Sequence, residues 1–171
     1  MNKRRVLEGK VHKFGDNINT DYIISGRYKF ATLDNQELAR HLFEDIYPDF
    51  IQKVSSGDFI VAGENFGCGS SREQAPLAIK YAGIGAVLAK TFARIFYRNA
   101  INVGLPIIQV DTGQIEEGEK LIIDLIKGEV FLPSKDLRLR IIPFPPLILD
   151  IIEAGGLVEY MKKYGGWKVS H

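Results

Sequence analysis

The chain is poor in residues that build covalent or metal cross-links: one cysteine, Cys68, and three histidines, His12, His41 and His171, among 171 residues. A single thiol forms no intrachain disulfide and cannot hold an iron–sulfur cluster or a cysteine-built zinc site. The histidines are too scattered for a metal motif, so structural or surface roles and no metal ligands are expected. An excess of one charge is lacking as well, with 22 Lys and Arg against 21 Asp and Glu. That balance gives no pull toward nucleic acid or anionic membrane, and the basic run Lys3, Arg4, Arg5 reads as a solvated tail. No apolar run approaches the roughly 18 residues of a membrane span, and no secretory h-region opens the chain. A cytoplasmic protein with neither nucleic acid nor membrane as partner is expected.

What is present suits one well-buried core: 46% of residues are apolar, and the length is short for two domains. Residues 5–14 predict a strand with a glycine interruption, and 35–47 a helix with Leu38, Leu42, Phe43 and Ile46 on its apolar face. "SGDFIVAG" reads as turn and buried strand, "LAIKYAG" as helix, "GAVLAK" as strand and "TFARIFYRNAINVG" as helix with Phe92, Ile95 and Phe96 inward. Four strands follow, "LPIIQV", "EKLIIDL", "EVFLP" and "LRLRII", read together as antiparallel. "PFPP" stops the last, and two short helices end the chain at about 146–163, around Gly155 and Gly156. The whole predicts an α/β fold with a mixed sheet in one domain, residues 1–171.

The stretch "ENFGCGSSREQAP", residues 64–76, is unusually bare before it turns polar. Ser70 and Glu73 have capping-box spacing, one reading of the segment. Pro76 sits badly six residues into a helix capped by Ser70, which moves the boundary toward Gln74 or Ala75. A phosphate cradle is the second reading. It fails on explicit residues, because no P-loop lysine is present and Arg72 stands where the dinucleotide fingerprint needs glycine. The third is an active-site turn. Gly67 and Gly69 permit close approach or positive φ, a following helix offers its electropositive end, and Arg72 offers a fork for a carboxylate. In such a field Ser70 could act as a base, while no neighbouring His–Asp pair suggests a hydrolase triad.

With "NINTDYI" upstream and "AKTFARIFYRNAINVGLP" downstream, this segment resembles the small-subunit family of 3-isopropylmalate dehydratase, whose relatives include homoaconitase small subunits and the last domain of aconitase. The likeness extends from about Val11 to "ILDIIEAGGLVEYMKK". It implies a swivelling β/β/α domain that closes over a separate large subunit, in a heterodimer or heterotetramer, with a [4Fe–4S] cluster on that partner and none here. It further implies a hydro-lyase of leucine biosynthesis, active only with the large subunit, that interconverts 2- and 3-isopropylmalate through isopropylmaleate. By the same resemblance Ser70 matches the proton-abstracting serine and Asp21 an active-site aspartate. Ser71 and Arg72 match ligands of the substrate carboxylate, and Cys68 matches no cluster ligand and reads as a small packing residue.

The resemblance also places residues 25–32, "SGRYKFAT", at the part of the hydroxy diacid that varies among members, with Tyr28, Lys29 and Phe30 as contacts. Homoaconitase-type loops carry arginine two residues after the tyrosine. Here that position is Phe30, which suits an isopropyl group and would leave a carboxylate unpaired. Lys29 and Arg27 are cations that could turn inward, and the alternative substrate is homoaconitate or a methylmalate. Arg94 and Arg98 are expected to satisfy carbonyls, face solvent or buttress the site.

Overall fold

The computed structural model describes residues 5–28 and 34–167. Seven strands form one sheet: β1 (Val6–Lys13), β2 (Phe59–Val61), β3 (Ala86–Ala89), β4 (Ile107–Gln109), β5 (Lys120–Asp124), β6 (Glu129–Leu132) and β7 (Leu137–Arg140). Their order is β4-β3-β2-β1-β5-β6-β7. The long first strand joins two regimes. Its first half pairs antiparallel with β5, Val6 opposite Asp124, and its end pairs parallel with β2, Val11 opposite Phe59.

Burial explains the two halves. β2 and β3 are buried at every position, as strands covered on both faces must be, and both read in sequence as unbroken apolar runs. Ile60, Val87 and Ile107 point into one core, beneath the helices. The alternate residues Phe59, Val61, Ala86, Leu88 and Ile108 point into a second core with Leu121, Ile123, Val130 and Leu132. The sheet therefore curls, its antiparallel half covering the far face of its parallel half. Antiparallel sheet, parallel sheet and helices make three layers, the β/β/α order expected. β5 and β6 alternate between buried and more exposed residues, and β7 between half-buried and exposed ones, because their outer face meets solvent.

Helices cover the parallel half: α1 (Thr20–Ile23), α2 (Asn35–Arg40), α3 (Phe50–Lys53), α4 (Gln74–Tyr81), α5 (Arg94–Asn102), α6 (Pro146–Ala154) and α7 (Leu157–Tyr164). Lys80 of α4 donates to the carbonyls of Val103 (2.8 Å) and Gly155 (2.7 Å), tying α4 to the ends of α5 and α6. No helix among the described residues is long and apolar enough to cross a membrane.

Three expectations need correction. β4 is parallel to β3, because α5 carries the chain back across the sheet before it. The helix expected over 35–47 ends at Arg40. Phe43 takes a φ of 55°, donates its amide to the Ile23 carbonyl at 2.9 Å and stacks on Phe14, so Ile46 faces outward. Ile95, assigned inward, is 52% exposed, because α5 begins only at Arg94 and buries Phe96 and Ala100 instead.

Candidate active site

Loops after β1, β2 and β3 leave the same end of the parallel half and continue its pairing as backbone contacts. Asn19 bridges Cys68 and Phe66 bridges Phe92, both in parallel sense. Thr20 N donates to Cys68 O at 2.8 Å, Gly67 N to Ile18 O at 2.8 Å and Ala93 N to Phe66 O at 2.9 Å. Ligands in open α/β sheets bind at this carboxyl end of the strands. Here the loops bring segments 18–21, 66–72 and 91–99 together.

The glycine turn is packed at its base and open at its tip. Gly67 and Gly69 have φ of 81° and 93°. A Cβ on Gly67 would lie 2.2 Å from the Phe96 ring, and one on Gly69 2.6 Å from Asn19 Oδ1. Each position thus excludes a side chain on conformation and on space. Thr20 Oγ1 donates to the Ser70 carbonyl at 2.8 Å and holds the tip. The Ser70 and Ser71 side chains stay exposed.

Ser70 is no helix cap. α4 starts at Gln74, with Glu73 before it making no side-chain cap, so the Ser70–Glu73 capping box does not form. The boundary expected at Gln74 or Ala75 is the one found. Pro76 lies in the first turn, where Ala75 N takes the Arg72 carbonyl at 3.3 Å.

Ser70, Ser71 and Arg72 line a recess of about 230 Å³ together with Thr20, Gly67, Gly69, Ala93–Phe96 and Asn99. Its charged lining residues are Arg72 and Arg94, with no carboxylate among them. The helix that reaches it is α5. α4, expected to aim its electropositive end at the turn, contributes no lining residue.

Arg72 is nine-tenths buried and forms an ion pair with Asp21, whose side chain is half exposed. Arg72 Nη1 also donates to the Ile24 carbonyl at 3.1 Å, and its Nε is buried without a partner. Asp21 owes its position to Asn19, whose side chain caps α1 by accepting from the Asp21 amide at 2.8 Å. Two residues expected at the site, Asp21 and Arg72, are thus joined directly.

The segment Gly26–Tyr28 approaches from the other side. A Cβ on Gly26 would lie 3.5 Å from Arg72 Nη2. Tyr28 does not line the recess: it stacks on His41 at 4.2 Å and donates to both Glu44 carboxylate oxygens at 3.2 Å. Burial and then the Glu44 carboxylate raise its pKa above the ordinary phenol value. Arg27 faces away, paired with Glu44 (3.0 Å) and Asp45 (2.7 Å). Lys29 and Phe30 lie outside the described residues.

Among the other single residues, Cys68 is half-buried and forms the bridge to Asn19. His12 is buried and meets Asp58 at 2.7 Å, far in role from any ligand set. Among the described residues no group of three or more His, Cys, Asp or Glu could hold a metal ion. A larger groove of about 550 Å³ runs along α5 and segment 141–145, lined mostly by Ile, Phe and Pro with Arg94 and Arg98 on its wall. Arg94 belongs to both hollows, a placement invisible before β2 and β3 are paired.

The segment 40–112 matches the family model of the aconitase C-terminal domain. The chain is 55% identical to the 3-isopropylmalate dehydratase small subunit 2 of Archaeoglobus fulgidus, covering 95% of this chain and 99% of that one. It is 56% identical to the 3-isopropylmalate dehydratase small subunit of Halothermothrix orenii, covering 95% and 98%. The crystal structure of a 3-isopropylmalate dehydratase from Methanocaldococcus jannaschii superposes with a TM-score of 0.87 at 52% identity, over 94% of this chain and 95% of that one. Fold, turn and near-complete coverage agree, and the chain belongs to the family of 3-isopropylmalate dehydratase small subunits.

Proposed function

We propose that this chain is the small subunit of a cytoplasmic hydro-lyase that interconverts 3- and 2-isopropylmalate in leucine biosynthesis, working with a large subunit. The observation that carries the reading is the exposed Ser70 in a recess whose charged lining is entirely cationic. Such a wall attracts a hydroxy diacid and favours the ionised form of a nearby hydroxyl.

In this reading Ser70 removes the proton from the carbon next to a carboxylate, hydroxide leaves the neighbouring carbon and a double bond forms. Hydroxide then adds to the carbon that lost its proton, and the Ser70 hydroxyl gives its proton to the carbon that lost hydroxide. Arg72 and Ser71 hold the carboxylate, and Asp21 keeps the guanidinium oriented. Tyr28, Lys29 and Phe30 belong to the loop that selects the substrate's side group, which here is apolar. With a single cysteine, this chain does not fit a [4Fe–4S] cluster, so that group, and the Lewis acidity it would supply, is assigned to the large subunit.

The test is reconstitution. The purified chain is expected to be inactive alone and to turn over 3-isopropylmalate once the large subunit is added, read from the ultraviolet absorbance of isopropylmaleate. Turnover of homoaconitate or a methylmalate in preference to 3-isopropylmalate would reject the substrate assignment.

A further inference from the structure

One arginine stands beside the site and is held out of it. Arg27 belongs to the turn Gly26–Tyr28, which runs past the Arg72 guanidinium: a Cβ on Gly26 would lie 3.5 Å from Arg72 Nη2, and the Ile24 carbonyl accepts from Nη1 at 3.1 Å. Consecutive Cα atoms are about 3.8 Å apart, which puts the Arg27 Cα within roughly 9 Å of Arg72 Nη2. That is close enough for one ligand to touch both guanidinium groups.

The Arg27 side chain points elsewhere. Nη2 donates to Glu44 Oε1 at 3.0 Å and to Asp45 Oδ1 at 2.7 Å, and Nε donates to Ser25 Oγ at 3.2 Å. The guanidinium also lies 5.7 Å from the centre of the Tyr28 ring. A single exposed ion pair is worth little, and this side chain is 61% exposed. Here four contacts converge on one group, and their far ends are fixed. Ser25 is buried, while Glu44 also accepts from the Tyr28 hydroxyl at 3.2 Å and pairs with the His41 ring. Phe43, next to Glu44, is fully buried and places its amide on the Ile23 carbonyl at 2.9 Å. Segments 41–45 and 23–28 thus share one frame, the condition under which a network of charges outweighs isolated pairs.

The consequence is electrostatic. The recess lining already carries Arg72 and Arg94 and no carboxylate. A third guanidinium turned toward Arg72 would give an extra ligand carboxylate its partner, and would be poorly solvated against an apolar side group. We propose that Glu44 and Asp45 are specificity-determining residues: by holding the Arg27 guanidinium away from Arg72, they leave an extra carboxylate without a cation and keep the enzyme selective for hydroxy diacids with an apolar side group. The inference rests on the functional reading above and deepens it. Discrimination against tricarboxylates is assigned to two residues that touch no substrate and act by withholding a partner.

The experiment uses the assembled enzyme as wild type, as Arg27→Gln, as the double variant Glu44→Gln/Asp45→Asn, and as that double variant with Arg27→Gln added. The amides keep the size of the acids and an acceptor oxygen for Tyr28. Two unreactive probes, 2-isopropylsuccinate and propane-1,2,3-tricarboxylate, are titrated by calorimetry, which needs no turnover. The double variant is expected to bind the tricarboxylate roughly 10- to 100-fold tighter than wild type, the worth of one charge-assisted contact, with little change for 2-isopropylsuccinate. Adding Arg27→Gln abolishes the gain, and Arg27→Gln alone changes neither affinity. A gain that survives Arg27→Gln overturns the proposal, as does the absence of any gain in a double variant that still binds 2-isopropylsuccinate. Weakened tricarboxylate binding in Arg27→Gln alone also overturns it, since Arg27 would then already serve the site. Should the double variant lose both probes, Asp45→Asn, which leaves the Glu44 contacts in place, is judged by the same outcomes with a smaller gain. Absent turnover of 3-isopropylmalate by wild type overturns the enzymatic reading, whereas failure of the probe pattern with turnover intact overturns the tether alone.

Discussion

β5, β6 and β7 are joined by turns that close on themselves, Gly128 N donating to Asp124 O at 3.0 Å and Asp136 N to Pro133 O at 3.3 Å. After β1, β2 and β3 the chain behaves differently. Backbone pairing continues beyond the strands, yet the Ser70 and Ser71 side chains and the first amides of α5 are left open. The cause is topological. Antiparallel neighbours need only a turn, whereas parallel neighbours need crossovers, which deliver distant segments to one end of the sheet. Asp21, Ser70–Arg72 and Arg94 meet for that reason, whereas the antiparallel half completes the second core.

Ser70→Ala is the strongest way to break this contrast. With the large subunit present, kcat is expected to fall by roughly 10²–10⁴-fold, the usual worth of a positioned base, with the melting temperature unchanged because the side chain is exposed. Activity at the wild-type level would remove Ser70 from the mechanism and the parallel half from its privileged role.

Asp58→Ala is next, and it acts where the halves join. Asp58 precedes β2 and accepts from the His12 ring (2.7 Å), the Ser55 amide (2.9 Å) and the Lys10 amide (3.3 Å), all close to the point where β1 changes partner. Removing the carboxylate leaves buried donors without an acceptor, at about 1–3 kcal/mol for each, to be read from the denaturant midpoint. A loss below about 1 kcal/mol, the range of exposed pairs, would mean the junction does not depend on it.

The layers were legible because each half buries its strands in a characteristic way. "FIV" and "AVLA" are unbroken apolar runs, whereas "KLIID" and "EVFL" alternate. The direction of β4 is not legible because a three-residue strand carries no mark of it; α5 sets it. The helical spacing over 35–47 overstates the helix because Phe43 keeps that spacing but answers to Ile23 and Phe14, twenty and more residues away. At the site, Ser70, Ser71 and Arg72 were legible as a local motif, and Asp21 through family resemblance. The role of α5 was not, since its spacing shows an apolar face but not that its N-terminus is uncapped beside Ser70.

Phe30→Arg tests whether selectivity also belongs to the parallel half's loops. The ratio of kcat/KM for homoaconitate over 3-isopropylmalate is expected to rise by roughly 10- to 200-fold. No change would place the apolar end of the substrate elsewhere.

Acid stability probes the junction more gently. Burial alone would raise the pKa of Asp58, but the bonds from Ser55, His12 and Lys10 prevail and hold it below the ordinary carboxylate value. A carboxylate with a lowered folded pKa binds protons less readily than in the unfolded chain. Its contribution is therefore complete above the unfolded value, about 3.9, and is lost as pH falls through the folded one. Wild type should lose stability relative to Asp58→Asn below about pH 4 and run parallel to it near neutrality. Parallel curves throughout would contradict the assignment.

The smallest effect belongs to the antiparallel half's outer face. Arg138 pairs with Glu129 and lies 4.1 Å over the Phe131 ring, but more than half of its side chain is in water. Exposed ion pairs and cation–π contacts are each worth about 0.5–1 kcal/mol, and solvent screens the charge. Arg138→Ala should therefore shift stability by about 1 kcal/mol or less. It should leave kcat and KM as they were, since the residue lies in the solvent-facing layer and lines no part of the Ser70 recess. A substantial loss of activity in the reconstituted enzyme would show that this face meets the large subunit, and the division of labour between the halves would have to be redrawn around that contact.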